Sequence, residues 1–179
     1  MVWSRWLEVS FFAAPKQLIK LMNSLKVLAS ETFSTVNSPI QYAAVEAYTG
    51  NYDDYKLKTT NILNSVGNYV YENLKSNKVL INPSQGGFYL MPEFKNKKYK
   101  TSSEMCLAIL KETGVALLPG SSFGFKPSKM LVRLSFTDFD GSIFLKNIFN
   151  GKITEQDIQN FAPNVVEGTQ MLSKWAQKL

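Results

Sequence analysis

The stretch that decides the fold is Thr113-Gly-Val-Ala-Leu-Leu-Pro-Gly-Ser-Ser-Phe-Gly124, together with Leu131-Val-Arg-Leu-Ser-Phe136 shortly after it. Gly114 follows an apolar-periodic segment, which is typical of a glycine just past the end of a helix. Residues 115–118 are a short apolar run ended by Pro-Gly, and they predict a buried strand. Residues 130–136 are rich in branched and aromatic side chains and predict a second strand.

Alternation along the second strand places one charge on an otherwise apolar segment. The side chains that share one face are Met130, Val132, Leu134 and Phe136, whereas Arg133 lies on the other face with Leu131 and Ser135. A guanidinium in such a strand must reach solvent or find an anion. Its planar fork matches a carboxylate in two parallel hydrogen bonds. Arg133 is therefore either a carboxylate site or an arginine on the solvent face of an edge strand.

The rest of the chain predicts an α+β fold. Helices packed on one side of a small, mostly antiparallel sheet account for the pattern. Ser38 is the predicted N-cap of one helix, and Thr101-Ser-Ser-Glu104 the predicted capping box of another. The helices are predicted over residues 16–29, 39–49, 53–76 and 102–113, with shorter ones from 141, from 154 and from 163. The strands are predicted over residues 79–81, 87–91, 115–118 and 130–136, the first two as a hairpin.

The sequence resembles the pyridoxal-phosphate-dependent aminotransferases of class I/II, the fold-type I group. The two opening stretches carry this resemblance, together with Gly86-Gly-Phe-Tyr-Leu90 and Ser38-Pro-Ile-Gln-Tyr-Ala-Ala44, in the order that the family has. It covers residues 11–179 and corresponds to the carboxyl-terminal end of such an enzyme. The resemblance implies the fold of the smaller, C-terminal domain.

By this resemblance Arg133 matches the arginine that holds the α-carboxylate of the amino-acid substrate. Gly86, Gly87, Gly120 and Ser121 are then expected to line the site. From the residues alone, the paired glycines are equally well explained by a turn that needs a positive φ.

The resemblance also implies which chemistry this stretch lacks. Aminotransferases move an amino group between an amino acid and a 2-oxo acid, and one lysine both holds the cofactor and moves the proton at the substrate α-carbon. In the family this lysine lies in a short motif that contains serine and lysine, and no lysine in this sequence matches it. The large-domain residues that bind pyridoxal phosphate in the family have no counterpart here either. We expect no catalytic or cofactor-binding residue, and no cofactor or activity in the isolated chain. The alternative is a stand-alone α+β interaction or oligomerisation module, and a homodimer is compatible with either.

Composition bounds the other function classes. The 179 residues contain no histidine and one cysteine, which excludes a histidine metal site, a Ser-His-Asp triad and an internal disulfide. Cys106 lies in a helical pattern and is expected to be a small buried residue, compatible with a cytoplasmic protein. Two acidic residues in Asp138-Phe-Asp-Gly141 suit a turn better than a metal loop. No segment has the length and apolarity of a membrane span.

The net charge of +6 raises the question of nucleic-acid binding. The densest basic run is Lys95-Asn-Lys-Lys-Tyr-Lys100, in which Tyr99 is available for stacking. No second basic stripe supports this function, so we expect a solvated loop and no nucleic-acid partner.

Residues 1–10 do not fit the resemblance, which begins abruptly at residue 11. Glu8 stands where the family has an arginine that helps hold the cofactor phosphate, and Arg5 is not in that register. A shifted reading frame of plausible codons for this segment gives a family-like sequence. We therefore expect residues 1–10 to be an atypical segment, an out-of-frame remnant of a longer gene, ahead of an aminotransferase C-terminal domain at 11–179.

Overall fold

The computed structural model describes residues 12–32, 36–148 and 152–179. The chain divides into two compact units, Met1–Asp53 and Asp54–Leu179. The atypical segment at residues 1–10 lies outside the described residues, so its assignment stays a prediction.

The described part of the first unit is helical. A short 3₁₀ turn at Lys16–Leu18 leads into helix α1 (Ile19–Thr32), and helix α2 spans Ser38–Thr49. The predicted N-cap at Ser38 is wrong by one residue. Asn37 caps α2, because its side-chain oxygen accepts a hydrogen bond from the backbone N–H of Ile40, and Ser38 is the first helical residue.

The second unit contains the remaining helices and all strands of the described residues. The long α3 begins at the unit boundary, and α4 ends at Gly114, whose φ of 74° confirms the predicted glycine stop. The helices are α3 (Asp53–Leu74), α4 (Ser102–Thr113), α5 (Gly141–Asn147), α6 (Glu155–Phe161) and α7 (Pro163–Gln177). The strands are β1 (Val79–Leu80), β2 (Tyr89–Leu90), β3 (Glu93–Phe94), β4 (Leu118–Pro119) and β5 (Val132–Ser135).

Every strand pair is antiparallel, and β5 is central. Strand β5 lies between β2 and β4, and β1 pairs with β3. The segment from Tyr89 to Glu93 runs along β5 in constant register. The pairs are Tyr89 with Ser135, Leu90 with Leu134, and Glu93 with Leu131 in an isolated bridge. Pro92 interrupts this segment, yet its carbonyl still accepts from Val132 N at 3.0 Å.

One face of the sheet is buried against helices, as predicted. Phe136 lies against α3 at Gly67, and the rings of Phe94 and Trp175 on α7 form a T-shaped pair with centroids 5.8 Å apart. The buried strand residues are Val79, Leu90, Phe94, Val132, Leu134 and Phe136. The α+β class is therefore confirmed. No helix among the described residues is long and apolar enough to cross a membrane.

Several local expectations were wrong. The hairpin between β1 and β2 does not form, because β1 pairs with β3 and β2 pairs with β5. Strand β4 starts three residues later than predicted and includes Pro119. The Thr101 side chain accepts from Glu104 N, but the Glu104 carboxylate accepts from Lys100 N instead of closing the capping box.

Candidate functional site

Arg133 lies on the face of β5 that is turned away from the buried core. It is half-buried, whereas its strand neighbours Val132 and Leu134 are buried. Leu118 on β4 is directly opposite and stays 46% exposed. Alternation places Leu131 on the same face of the strand as Arg133, but Leu131 is buried, with 8% exposure. The predicted alternation therefore holds, although only part of the outer face is open.

Two aromatic rings contact the Arg133 guanidinium. Its Cζ atom lies 4.3 Å from the ring centroid of Tyr89 and 4.5 Å from that of Phe123. Both rings are about 40% exposed, at 40% and 41%. We call Tyr89, Leu118, Phe123 and Arg133 the Arg133 face. Within the described part of the chain, Arg133 makes no ion pair and no side-chain hydrogen bond, so its N–H groups can donate to an external anion.

Gly120 and Ser121 follow β4 beside this face. Gly120 N donates to Leu131 O at 2.8 Å, and a Cβ on Gly120 would stand 2.7 Å from that oxygen. Glycine is required here because two backbone segments touch. The Ser121 hydroxyl lies 3.4 Å from Ser102 Oγ and 3.3 Å from Ser103 Oγ at the start of α4. Structural contacts thus account for both residues, and their lining role stays a prediction.

Gly86 and Gly87 precede β2 in an open turn. Gly87 has a φ of 70°, which L side chains rarely adopt, and a Cβ on either glycine would meet nothing within 4 Å. The turn explanation therefore has structural support at Gly87. Tyr89, two residues further on, is the part of this motif that contacts Arg133.

The basic run at residues 95–100 is a structured loop. The Asn96 side-chain oxygen accepts from the backbone N–H groups of Lys98 and Tyr99 at 2.9 and 2.7 Å. The Tyr99 ring stacks on Trp175 at 5.9 Å and is half-buried. The Trp175 indole therefore covers one face of the Tyr99 ring, and Lys98 Nζ lies 5.0 Å from the centroid of the same ring, so both contacts compete with stacking on a base.

The other candidate groups have structural roles. Burial raises the pKa of the Cys106 thiol to about 11, so this thiol is protonated at neutral pH and is a poor nucleophile. Asp140 caps α5, and its hydrogen bonds with Ser142 lower the pKa of its carboxyl. Asp138 accepts from Asn164 at 3.3 Å. The described residues hold no cluster of three or more acidic, cysteine or histidine side chains that suits a metal ion.

No lysine among the described residues has the surroundings expected of one that bonds to pyridoxal phosphate. A lysine that bonds to the cofactor aldehyde must be available as a neutral amine, which burial or a nearby cation favours. No lysine in residues 12–32, 36–148 or 152–179 is buried. At Lys75 and Lys98, hydrogen bonds with Tyr71 and Tyr99 raise the amine pKa, which is the opposite direction. We therefore derive no reaction step through the cofactor on these residues.

The fold and the Arg133 face together define an α+β domain. Its central strand presents a guanidinium that has no acidic partner among the described residues. The chain belongs to the aminotransferase class I and II family, whose model matches residues 9–140. The resemblance of the four sequence motifs is thereby confirmed.

The chain spans about a third of the length of the curated relatives that it matches. The chain is 36% identical over 129 residues to a probable N-acetyl-LL-diaminopimelate aminotransferase of Bacillus subtilis, covering 72% of this chain and 31% of that protein. It is 34% identical over 135 residues to an aspartate aminotransferase of Geobacillus stearothermophilus, covering 72% and 32%.

Solved structures support the same fold. An alanine aminotransferase from Pyrococcus furiosus superposes with a TM-score of 0.64 at 22% identity, over 92% of this chain and 36% of that one. An aspartate aminotransferase from Thermotoga maritima gives a TM-score of 0.58 at 24% identity, over 88% and 33%. At these identities the likeness concerns the fold.

Sequence reasoning missed the two rings that contact Arg133. Phe123 lies in the motif at residues 113–124 and Tyr89 in the motif at residues 86–90, but neither motif by itself predicts a contact with the arginine. The available signal was the placement of Tyr89 on a strand predicted to join the same sheet. Without the pairing register that puts Tyr89 opposite Ser135, the contact could not be derived.

Proposed function

We propose that this chain is the small-domain portion of a pyridoxal-phosphate-dependent aminotransferase, in which Arg133 binds the α-carboxylate of the amino-acid or 2-oxo-acid substrate. The observation that carries the proposal is the position of Arg133, half-buried on the open face of β5 with no acidic partner among the described residues. Family membership supports the proposal, since the family match at residues 9–140 includes the strand that carries Arg133.

The role of Arg133 follows from its chemistry. A carboxylate at the guanidinium edge accepts two parallel N–H bonds, each charge-assisted bond contributing about 1.5–3 kcal/mol. The rings of Tyr89 and Phe123 lie over the guanidinium, and Leu118 is its partner on the neighbouring strand. This arrangement binds and orients a substrate. Proton transfer at the α-carbon requires a base that these residues do not supply.

The cofactor and the amine chemistry belong, on this proposal, to the part of the relatives that the chain does not match. We propose that the 179-residue chain alone neither forms a stable bond with pyridoxal phosphate nor transfers amino groups. We also propose a homodimer for the complete enzyme.

The test of Arg133 is a titration of the 179-residue chain with sodium acetate and with L-alanine, at constant ionic strength set by chloride. Backbone amide shifts of Tyr89 and Leu118 report binding. We expect saturable shifts with a Kd of tens of millimolar, which corresponds to about 1.5–2.5 kcal/mol of binding free energy. Arg133→Ala abolishes the shifts, and Arg133→Lys weakens binding because an ammonium lacks the planar fork.

Lys129→Ala is the matched control. Lys129 is a neighbouring surface cation whose Nζ already lies 3.5 Å from the Glu93 carboxylate. This variant changes the local charge as Arg133→Ala does, and it is expected to leave the acetate shifts in place. Equal loss in both variants, or shifts that survive Arg133→Ala, would show that the anion is attracted by general charge and that Arg133 is no carboxylate site.

A second candidate function is a module for self-association. The exposed apolar side chains around Arg133 favour it, since the Phe88 ring, 4.3 Å from the Tyr89 ring, adds a further exposed aromatic side chain beside the Arg133 face. Sedimentation across a range of concentrations distinguishes the two. The module requires dissociation on dilution and loss of assembly when Leu118 is changed to Lys, whereas carboxylate binding by Arg133 requires neither.

A further inference from the structure

We infer that Tyr89 and Phe123 are positioning residues that hold the Arg133 guanidinium by its faces and leave its N–H edge open to a carboxylate. This inference rests on the proposed role of Arg133 and adds the groups that make it effective. It concerns residues from two separate elements, strand β2 and the 3₁₀ turn Gly120–Phe123 that follows β4.

The contacts are of the cation–π kind. The guanidinium carbon lies 4.3 Å from one ring centroid and 4.5 Å from the other, well within the range over which ring faces attract a cation. Two rings restrict a long side chain that would otherwise sample many rotamers. Arg133 therefore has a defined position although no hydrogen bond fixes its side chain among the described residues.

The type of contact decides what the arginine can still do. An acidic partner would occupy the N–H edge and neutralise the charge that a substrate carboxylate needs. The Arg133 Cζ atom lies over both rings, and a guanidinium that stacks its flat side on a ring uses none of its donors in that contact. The nearby carboxylate of Glu93 is engaged with Lys129 instead. The site thus combines an arginine held by two rings with N–H donors that no residue in the described ranges occupies.

A fixed side chain also binds more tightly than a free one. When a rotamer-rich side chain is ordered before the ligand arrives, the ligand does not bear the loss of conformational freedom. Removing one ring is therefore expected to weaken carboxylate binding by about three- to tenfold, the size expected for ordering one long side chain.

The experiment measures the mobility of Arg133 first, with no ligand present. In the ¹⁵N-labelled 179-residue chain, the heteronuclear NOE of the Arg133 Nε–Hε group should approach that of the β5 backbone. Tyr89→Leu and Phe123→Leu keep an apolar side chain but remove a ring, and each should lower this NOE. Tyr89→Phe and Phe123→Tyr keep a ring and should restore it.

Phe125→Leu is the matched control. Phe125 has the same 41% exposure as Phe123, but its ring lies beneath the Lys129 Nζ at 5.5 Å instead of contacting Arg133. It should leave the Arg133 NOE and acetate affinity unchanged. Backbone amide spectra of all variants verify that the fold is intact.

The acetate titration then separates the two ideas. If ring removal lowers both the NOE and the affinity, the positioning role is supported. If acetate binds through Arg133 but the Leu variants keep the NOE and the affinity, the positioning role is wrong and the proposed function stands. If Arg133→Ala does not change acetate binding, the proposed function fails, and the positioning role fails with it because the rings then position no carboxylate site.

Discussion

Replacing Trp175 by alanine is expected to lower the free energy of unfolding by about 3–5 kcal/mol, the range for removing a buried aromatic side chain. Trp175 is 4% exposed on α7. Its ring contacts Phe94 from the sheet and stacks on Tyr99 from the basic loop. Its indole N–H also donates to the Glu112 carboxylate of α4 at 2.9 Å. One side chain thus joins two helices, the sheet and a loop.

Urea unfolding followed by circular dichroism measures the effect. Trp175→Phe keeps a ring and loses the hydrogen bond, so it should cost less than the alanine variant. Met171→Ala on the same helix is the control, since Met171 is 39% exposed and surface truncations usually change stability by under about 0.5 kcal/mol. A loss below about 1 kcal/mol for Trp175→Ala would contradict the packing described here.

Gly120→Ala is also expected to lower the free energy of unfolding strongly. The added methyl would stand 2.7 Å from the Leu131 carbonyl oxygen and 3.2 Å from Leu131 Cβ, and neither atom can rotate away. The backbone of β4 must separate from β5, which weakens the 2.8 Å bond from Gly120 N. We expect a loss of about 2–3 kcal/mol, as for overpacking of a rigid site.

Gly86→Ala provides the contrast for Gly120. A Cβ on Gly86 has open space within 4 Å, and its φ is outside the left-handed region. This substitution should be neutral or slightly stabilising, because alanine reduces the freedom of the unfolded chain. Equal stability of the two variants in urea would show that Gly120 does not serve close backbone packing.

Local sequence signals predicted the elements near Arg133 well. The bounds of α4 follow from its polar start and from Gly114, both local features. The alternation from Met130 to Phe136 placed the core side chains correctly because β5 is paired on both sides, with one face against helices. These are the cases in which a pattern depends on residues close in sequence.

The errors arose where distant segments compete. Two strands separated by a short polar turn predicted a hairpin, but the segment from Tyr89 onward pairs with the distant β5, which is the longer strand. Strand β1 then pairs with Glu93 and Phe94 instead. The same long-range register brings Tyr89 to Arg133, so the ring contacts could not be read from local patterns.

The central claim is that this chain orients a carboxylate but neither bonds pyridoxal phosphate through a specific lysine nor transfers amino groups. Borohydride trapping with pyridoxal phosphate tests it most directly. The 179-residue chain is incubated with an equimolar amount of pyridoxal phosphate, reduced, digested and mapped by mass spectrometry. Because none of the described lysines is buried, we predict low labelling spread over several exposed lysines. Stoichiometric labelling of one lysine, together with amino-group transfer that borohydride abolishes, would contradict the claim.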